Sequence, residues 1–186
     1  MFMTPDDPAA QASSFRHSLR EATAPAHAAL DRLMSGLDLA TPQGRAAFSR
    51  IQLAGFRRLG RACGWQAAEA TPLLCATVSA LDGLPPTHAP AETDAPLHAD
   101  AVAYVTLGSQ LGLTVLRQRL RPEERTGAFA PEPDLAAWKS FATRLTRCPP
   151  GPAQAEAIRA DALRAFDIFR QEAQRDIART APATFA

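Results

Sequence analysis

The sequence predicts an all-α fold, built as one helical bundle. Apolar residues recur at three- and four-residue spacing along most of the chain, and no stretch shows the alternation typical of a strand. The 186 residues, 46% of them hydrophobic, suffice for one domain with a substantial core. Short connections, no internal repeat and uniform composition argue against a second domain. We expect a flexible segment over 1–12, the helical domain over 13–180 and a tail over 181–186.

The first helix is predicted to follow Ser13 and Ser14, which are suitable N-caps for a run of apolar residues at helical spacing. Pro25 falls inside this run, and Thr23 could cap a fresh turn just before it. We therefore expect the helix either to kink at the proline or to consist of two short pieces.

A second helix is expected to begin at Thr41 and Pro42, a cap followed by a first-turn proline, and to end at Cys63. Gly64 is its predicted stop. Residues 66–82 are expected to form a third helix, and the proline-rich segment that follows is predicted to be a loop.

Residues 98–121 form the longest uninterrupted periodic run, which Pro122 closes. Asp134 is placed to cap a fifth helix. After a turn rich in proline and glycine, residues 152–178 have the pattern of a final amphipathic helix. The chain is thus predicted to form about six helices.

Charge and cysteine content exclude several classes of function. Twenty basic residues stand against 19 acidic ones, and a net charge of +1 does not favour nucleic-acid binding. No run approaches the roughly 18 consecutive apolar residues of a membrane span, and the N-terminus lacks a signal-peptide pattern. Three cysteines without a CxxC pair indicate neither a disulfide framework nor a structural zinc site, so a cytoplasmic location is expected.

The first helix carries a histidine whose neighbours suit a metal ligand. His27 shares its helix face with Arg20, Thr23 and Asp31. A carboxylate one turn away can hold the second nitrogen of a ligating imidazole, which is the role expected for Asp31. An arginine two turns earlier could pair with a carboxylate on a flat ligand lying across the helix. Alternatively, His27 is an ordinary, partly exposed histidine with an i,i+4 partner.

Two glycines lie on one stripe of the long helix. Gly108 and Gly112 are four residues apart, Tyr104 lies four residues upstream, and Ser109 adds a hydroxyl beside them. A glycine inside a helix destabilises the helix by about 0.8–1 kcal/mol relative to alanine, so two glycines on one stripe indicate a structural or functional requirement. A bare backbone can approach a planar ligand closely, and a helix that bends at the glycines can open and close over it. The alternative is a close helix–helix contact.

Together these segments resemble the heme oxygenase family, most closely its bacterial branch. The likeness rests on LREATAPAHAALD at 19–31 and YVTLGSQLGLTVL at 104–116. A WKxF segment at 138–141, the chain length and the order of the helices also fit. The likeness covers most of the chain, whereas the specific motifs cover these segments alone.

The resemblance implies a bundle of the heme oxygenase type that uses heme as both cofactor and substrate. O₂ and a reductant would open the ring to biliverdin, CO and ferrous iron. His27 would be the proximal ligand of the iron, and Gly108, Ser109 and Gly112 would form the distal, catalytic face. Ordered water can carry the protons there without a polar catalytic side chain. The implied partners are an electron donor, such as a ferredoxin or a flavin reductase, and a phytochrome that uses biliverdin.

Further residues are expected to surround the heme. Basic side chains at the positions of Arg20 and Lys139 would meet the propionates, and Tyr104 matches the tyrosine that opens the bacterial distal motif. The full set expected to contact heme is Arg20, Thr23, Asp31, Tyr104, Leu113, Lys139 and Phe166.

Two leucines depart from the family pattern. The bacterial branch usually has an acid before the first distal glycine, where this chain has Leu107, and a small residue after the second, where it has Leu113. The first change removes an anchor of the distal hydrogen-bond network, and the second crowds the heme. The alternative hypothesis is therefore a heme-binding or heme-trafficking protein without turnover. A third is a helical scaffold that binds no heme.

The remaining histidines suggest little. His17 with Glu21, and His98 with Asp94, could be halves of a non-heme iron site, but the Glu-x-x-His pairs of a di-iron bundle are missing. His88 and His98 flank the proline-rich loop and are expected at the surface.

Two basic clusters are expected either to be solvated helix faces or to steer an acidic electron donor toward the heme edge. The first cluster consists of Arg57, Arg58 and Arg61, and the second of Arg117, Arg119, Arg121 and Arg125.

Overall fold

The computed structural model describes residues 8–83 and 94–180, and over these ranges it is built from six α-helices without a strand. This confirms the all-α prediction. Three single-turn 3₁₀ helices join the α-helices at Ala68–Ala70, Pro122–Glu124 and Gly127–Phe129. The α-helices are α1 (Pro8–Met34), α2 (Pro42–Ala62), α3 (Thr71–Leu81), α4 (Ala99–Gln118), α5 (Leu135–Arg147) and α6 (Pro152–Thr180). The tail over 181–186, most of the proline-rich loop and His88 lie outside the described residues.

α1 begins earlier than predicted and is one piece. It starts at Pro8, so Ser13 and Ser14 lie inside the helix rather than capping it, and residues 8–12 are helical rather than a flexible lead-in. Pro25 stands within the continuous helix. It is exposed, so the carbonyl that it leaves without an amide partner can be solvated.

The ends of α2 and α3 follow the local chemistry. Thr41 caps α2 by accepting a hydrogen bond from the amide of Gly44 at 3.1 Å. Gly64, just past the end of α2, has the positive φ of 59° that favours glycine. Both expectations are confirmed. The predicted third helix is instead a 3₁₀ turn followed by α3, which begins at Thr71 with Pro72 in its first turn.

α4 begins one residue later than predicted because His98 is its N-cap, and it ends at Gln118 rather than at residue 121. The Nδ1 atom of His98 accepts a hydrogen bond from the amide of Asp100 at 3.1 Å, and this histidine is half-buried. Asp134 caps α5 as predicted, accepting from the amides of Ala136 and Ala137 at 3.0 Å. α6 extends two residues beyond its predicted end.

α6 is the central helix, and it packs against α1, α2 and α4. α1 runs parallel to it: Arg159 donates to Ser18 at 3.2 Å, and further along both helices the ring of His27 meets that of Phe166. The main core between these helices is largely aliphatic and aromatic. Its largest members include Leu19, Phe56, Leu59, Leu74, Leu107, Phe141, Ile158, Phe166 and Phe169.

A second hydrophobic cluster lies beside the C-terminal ends of α1 and α4. Met34 and Leu37, at and just beyond the end of α1, pack against it, as do Leu113 and Leu116 of α4. Its buried members are Phe48, Leu53, Leu81, Leu120, Ala128 and Phe129. α1 and α4 therefore run in the same direction toward a common end.

Among the described residues, α4 is the one helix long and apolar enough to cross a membrane, with a mean hydropathy of 1.2. It packs against α5 and α6, and its N-terminal half is buried on nearly every side. A core helix of a bundle has the same length and composition, and α4 occupies that position here.

Candidate functional site

α1 and α4 approach each other beside the residues of the two motifs, and we call the space next to this approach the cleft. The two helices are joined by a hydrogen bond between Thr23 Oγ1 and the hydroxyl of Tyr104, at 3.2 Å. Because they run in the same direction, His27 and Gly108 each lie one turn beyond this bond. Leu113, which is nine residues, or about 14 Å of helix, beyond Tyr104, packs against the second cluster.

His27 faces the cleft with one ring nitrogen held. Its Nδ1 atom lies 2.8 Å from a carboxylate oxygen of Asp31, and both side chains are exposed, by 60% and 64%. A carboxylate can only accept a hydrogen bond, so this position of Asp31 favours a proton on Nδ1 and leaves Nε2 as the nitrogen that could bind a metal. Phe166 supports the imidazole from α6, with ring centroids 5.6 Å apart and planes inclined by 68°. The arrangement suits a ligating imidazole with a carboxylate behind it.

One face of α4 carries Tyr104, Gly108, Leu111, Gly112 and Val115 at helical spacing. Its C-terminal half is open, since Leu111 is 45% exposed and Val115 50% exposed. These two side chains were not predicted as part of the site. Their spacing of seven and eleven residues from Tyr104 is the sequence signal that could have placed them on its stripe.

The two glycines of α4 are not explained by contacts with another helix. A methyl group at Gly112 would meet no atom within 4 Å, and one at Gly108 would meet only the ring of Trp138, at 3.8 Å. At Gly55, by contrast, a methyl group would overlap the ring of Phe169. The helix–helix alternative is therefore wrong for Gly112, whereas Gly108 lies against Trp138 of α5, and the fold leaves room for alanine at both.

Trp138 connects α5 to this face of α4. Its ring lies 6.1 Å from that of Tyr104 and 5.9 Å from that of Phe141. The sequence indicated Trp138 only as part of a motif, whereas the structure makes it the nearest neighbour of Gly108. It closes the cleft on the side of α5.

The hydroxyls expected around the ligand are already bonded. Ser109 donates to the carbonyl of Thr106 at 2.6 Å, within its own helix. Thr23 is buried and donates to the carbonyl of Leu19 at 2.8 Å. Because Thr23 is buried, its side chain does not line the cleft but lies beneath its surface.

Arg20 and Lys139 are both exposed. Within residues 8–83 and 94–180, neither side chain makes a hydrogen bond or an ion pair, which leaves both cations available to anions. Lys139 lies in an open groove of about 450 Å³ along α5, together with Ser140, Thr143 and Arg147.

The two leucines that depart from the family pattern both serve the hydrophobic core. Leu107 is fully buried in the main core. Leu113, which was expected to contact the ligand, packs instead against the second cluster. Neither leucine belongs to the open face of α4.

The two basic clusters are broken up by pairing and burial. Arg58 is buried and donates to Asp94 and Glu172, at 2.6 to 2.8 Å, and these hydrogen bonds raise the pKa of its guanidinium against the opposing effect of burial. Arg117 is also buried and donates to the carbonyl of Phe129. These two arginines hold the fold together and do not form part of an exposed basic patch.

Over the described ranges, no three His, Cys, Asp or Glu side chains form a group that could hold a metal ion. His17 and Glu21 pair at 3.2 Å on exposed turns of α1, ten residues before the pair of His27 and Asp31.

No protein-family model matches the chain, and no curated protein or solved structure shows a significant match to it. The resemblance to heme oxygenases therefore rests on the sequence, chiefly on the residues of the two motifs.

Proposed function

We propose that this protein binds heme in the cleft between α1 and α4, with His27 as the axial ligand, and opens the heme ring oxidatively as a heme oxygenase. The observation that carries the proposal is the pair Gly108 and Gly112. Both lie on an exposed face where the fold has room for a methyl group, one turn and two turns beyond the bond that joins the helices. A flat ligand pressed against the helix backbone accounts for their presence.

On the proximal side, the chain holds the ligating imidazole in one tautomer. Asp31 accepts the Nδ1 proton, which directs the lone pair to Nε2 and makes that nitrogen a stronger donor. Phe166 limits rotation of the ring. Bound heme would supply the iron chemistry with O₂ and the ring that is consumed, with electrons from a donor such as a ferredoxin or a flavin reductase.

On the distal side, the chain offers shape rather than a charged group. The glycine backbone allows close approach, and Leu111 and Val115 exclude water from the flanks. Because the hydroxyl of Ser109 is bonded within its helix, protons would be delivered by ordered water. Arg20 and Lys139 would meet the propionates as unpaired cations.

A second candidate is a heme-binding or heme-trafficking protein without turnover. Leu107 favours it, because this side chain is buried in the core at the position where the family's acid would support a distal hydrogen-bond network. The two proposals share the binding site and differ only in the chemistry that follows.

The experiment that separates them is a hemin titration followed by reductant. Purified protein with hemin should show a Soret band, and ascorbate with O₂ should remove that band within minutes and produce the absorbance of biliverdin. A Soret band that persists for many minutes after the reductant is added would mean that the protein binds heme without opening the ring, as the second candidate predicts. Failure of hemin to give a Soret band would overturn both candidates and favour a helical scaffold.

A further inference from the structure

The hydroxyls of Thr23 and Tyr104 make a 3.2 Å contact in which either oxygen can donate. Thr23 can also donate its single proton within α1, to the carbonyl of Leu19 at 2.8 Å or to that of Arg20 at 3.3 Å. The arrangement that satisfies both helices has Thr23 donating within α1 and the phenol of Tyr104 donating to Thr23.

This bond is the point at which α1 and α4 approach each other beside the cleft. Thr23 is buried behind the cleft, and Tyr104 is half-buried between Thr23 and the ring of Trp138. One turn further along α1 lies the exposed His27, and one turn further along α4 lies the bare backbone of Gly108. The Thr23–Tyr104 bond is therefore a direct link between the two helices that carry these groups.

We propose that Thr23 and Tyr104 form a latch that fixes the width of the cleft, so that both are positioning residues rather than ligand contacts. This proposal rests on the proposed function. Breaking the latch would let α1 and α4 separate at this point, and a planar ligand held between His27 and Gly108 would leave faster.

The test is the rate at which the hemin-loaded protein releases hemin to an excess of a heme-scavenging protein. Tyr104→Phe removes the donor, and Thr23→Val removes the acceptor without leaving the Leu19 carbonyl unbonded in its helix. Each should speed release roughly threefold to tenfold, the range for loss of one hydrogen bond. The double variant should be no faster than the singles, because both remove the same interaction.

Two controls separate the latch from a general loss of stability. Thr23→Ser keeps the hydroxyl and should release hemin at the wild-type rate. Thr146→Val on α5 removes a threonine whose hydroxyl donates only within its helix, to the carbonyl of Ala142 at 2.9 Å, and should also leave the rate unchanged.

The outcomes distinguish the two proposals. If the wild-type protein takes up no hemin, the proposed function fails and the latch fails with it. If it takes up hemin and the single variants release it at the wild-type rate, or if the double variant shows the product of the two single effects, the latch alone is overturned.

Discussion

The imidazole of His27 and the ring of Phe166 meet edge to face across α1 and α6. An exposed histidine on a helix would ordinarily sample several rotamers. Here, Phe166 blocks one side of the ring and Asp31 holds Nδ1, so little rotational freedom remains to be lost on binding. This preorganisation is what a ligating imidazole requires, and it leads to the following predictions.

Gly112→Ala should separate stability from ligand binding. With nothing against the new methyl group, the substitution should stabilise the hemin-free protein by about 0.8–1 kcal/mol, which corresponds to a rise in Tm of about 2–4 °C. The same methyl group would stand where the ligand lies, so hemin affinity should fall. Gly55→Ala is the contrasting control, because overlap with Phe169 should cost about 1–3 kcal/mol. A stabilised Gly112 variant with unchanged hemin affinity would contradict the placement of the ligand.

Arg20→Ala and Lys139→Ala should each weaken hemin binding about twofold to fivefold, the range for an exposed ion pair. The loss should shrink at high salt, where exposed charges are screened. Arg32→Ala is the matched control, since this exposed arginine lies roughly 140° around α1 from His27. Titrations at low and high salt would measure the effect, and equal losses in all three variants would speak against propionate contacts.

Leu107→Glu, which would restore the family's acid, should destabilise the protein and not improve turnover. Leu107 is fully buried, so the change removes core packing and buries a carboxyl group, at a cost of about 3 kcal/mol or more. Leu107→Met, which conserves volume, should cost less than about 1.5 kcal/mol. Denaturant unfolding would measure both. A stable Leu107→Glu variant with faster ring opening would mean that this position faces the heme.

Asp176 should make stability depend on acid pH. Burial acts to raise the pKa of this carboxyl, but hydrogen bonds from Arg50 and Arg179 outweigh burial and hold the pKa below its ordinary value. The folded state therefore binds the Asp176 proton more weakly than the unfolded chain does. Its contribution is complete well above pH 4 and is lost as the pH falls through the lowered pKa.

Asp176→Asn should accordingly cost about 3–5 kcal/mol at neutral pH, because Arg50 then loses a buried partner. The difference from wild type should narrow below about pH 4. Asp167→Asn, in an exposed pair with Arg170 on the same helix, should cost at most about 1 kcal/mol. Urea unfolding at several pH values would test this, and a cost for Asp176→Asn that does not change with pH would contradict it.

The local parts of the fold could be predicted from the sequence, because periodicity, caps and prolines act within a few residues. Thr41, Gly64 and Asp134 mark helix ends where their chemistry indicates.

What the sequence could not predict depends on contacts between distant helices. The spacing of Asp31 from His27 placed the two side chains together, but nothing local indicated Phe166 behind them. Nor could a helical wheel distinguish Gly112, which faces open space, from Gly55, which faces an aromatic ring. Leu113 shares a motif with the glycines, yet it turns toward the second cluster, because neighbouring residues on a helix point in different directions.

The most direct test of the account is a hemin titration of three proteins: wild type, His27→Ala and His17→Ala. His17 is the matched control. It lies on the same helix and pairs with Glu21 four residues later, as His27 pairs with Asp31, but it is ten residues before His27. We expect a Soret band of the same position and affinity for wild type and His17→Ala, and a weakened or shifted band for His27→Ala. Identical titrations for wild type and His27→Ala would contradict axial ligation by His27 and, with it, the proposed site.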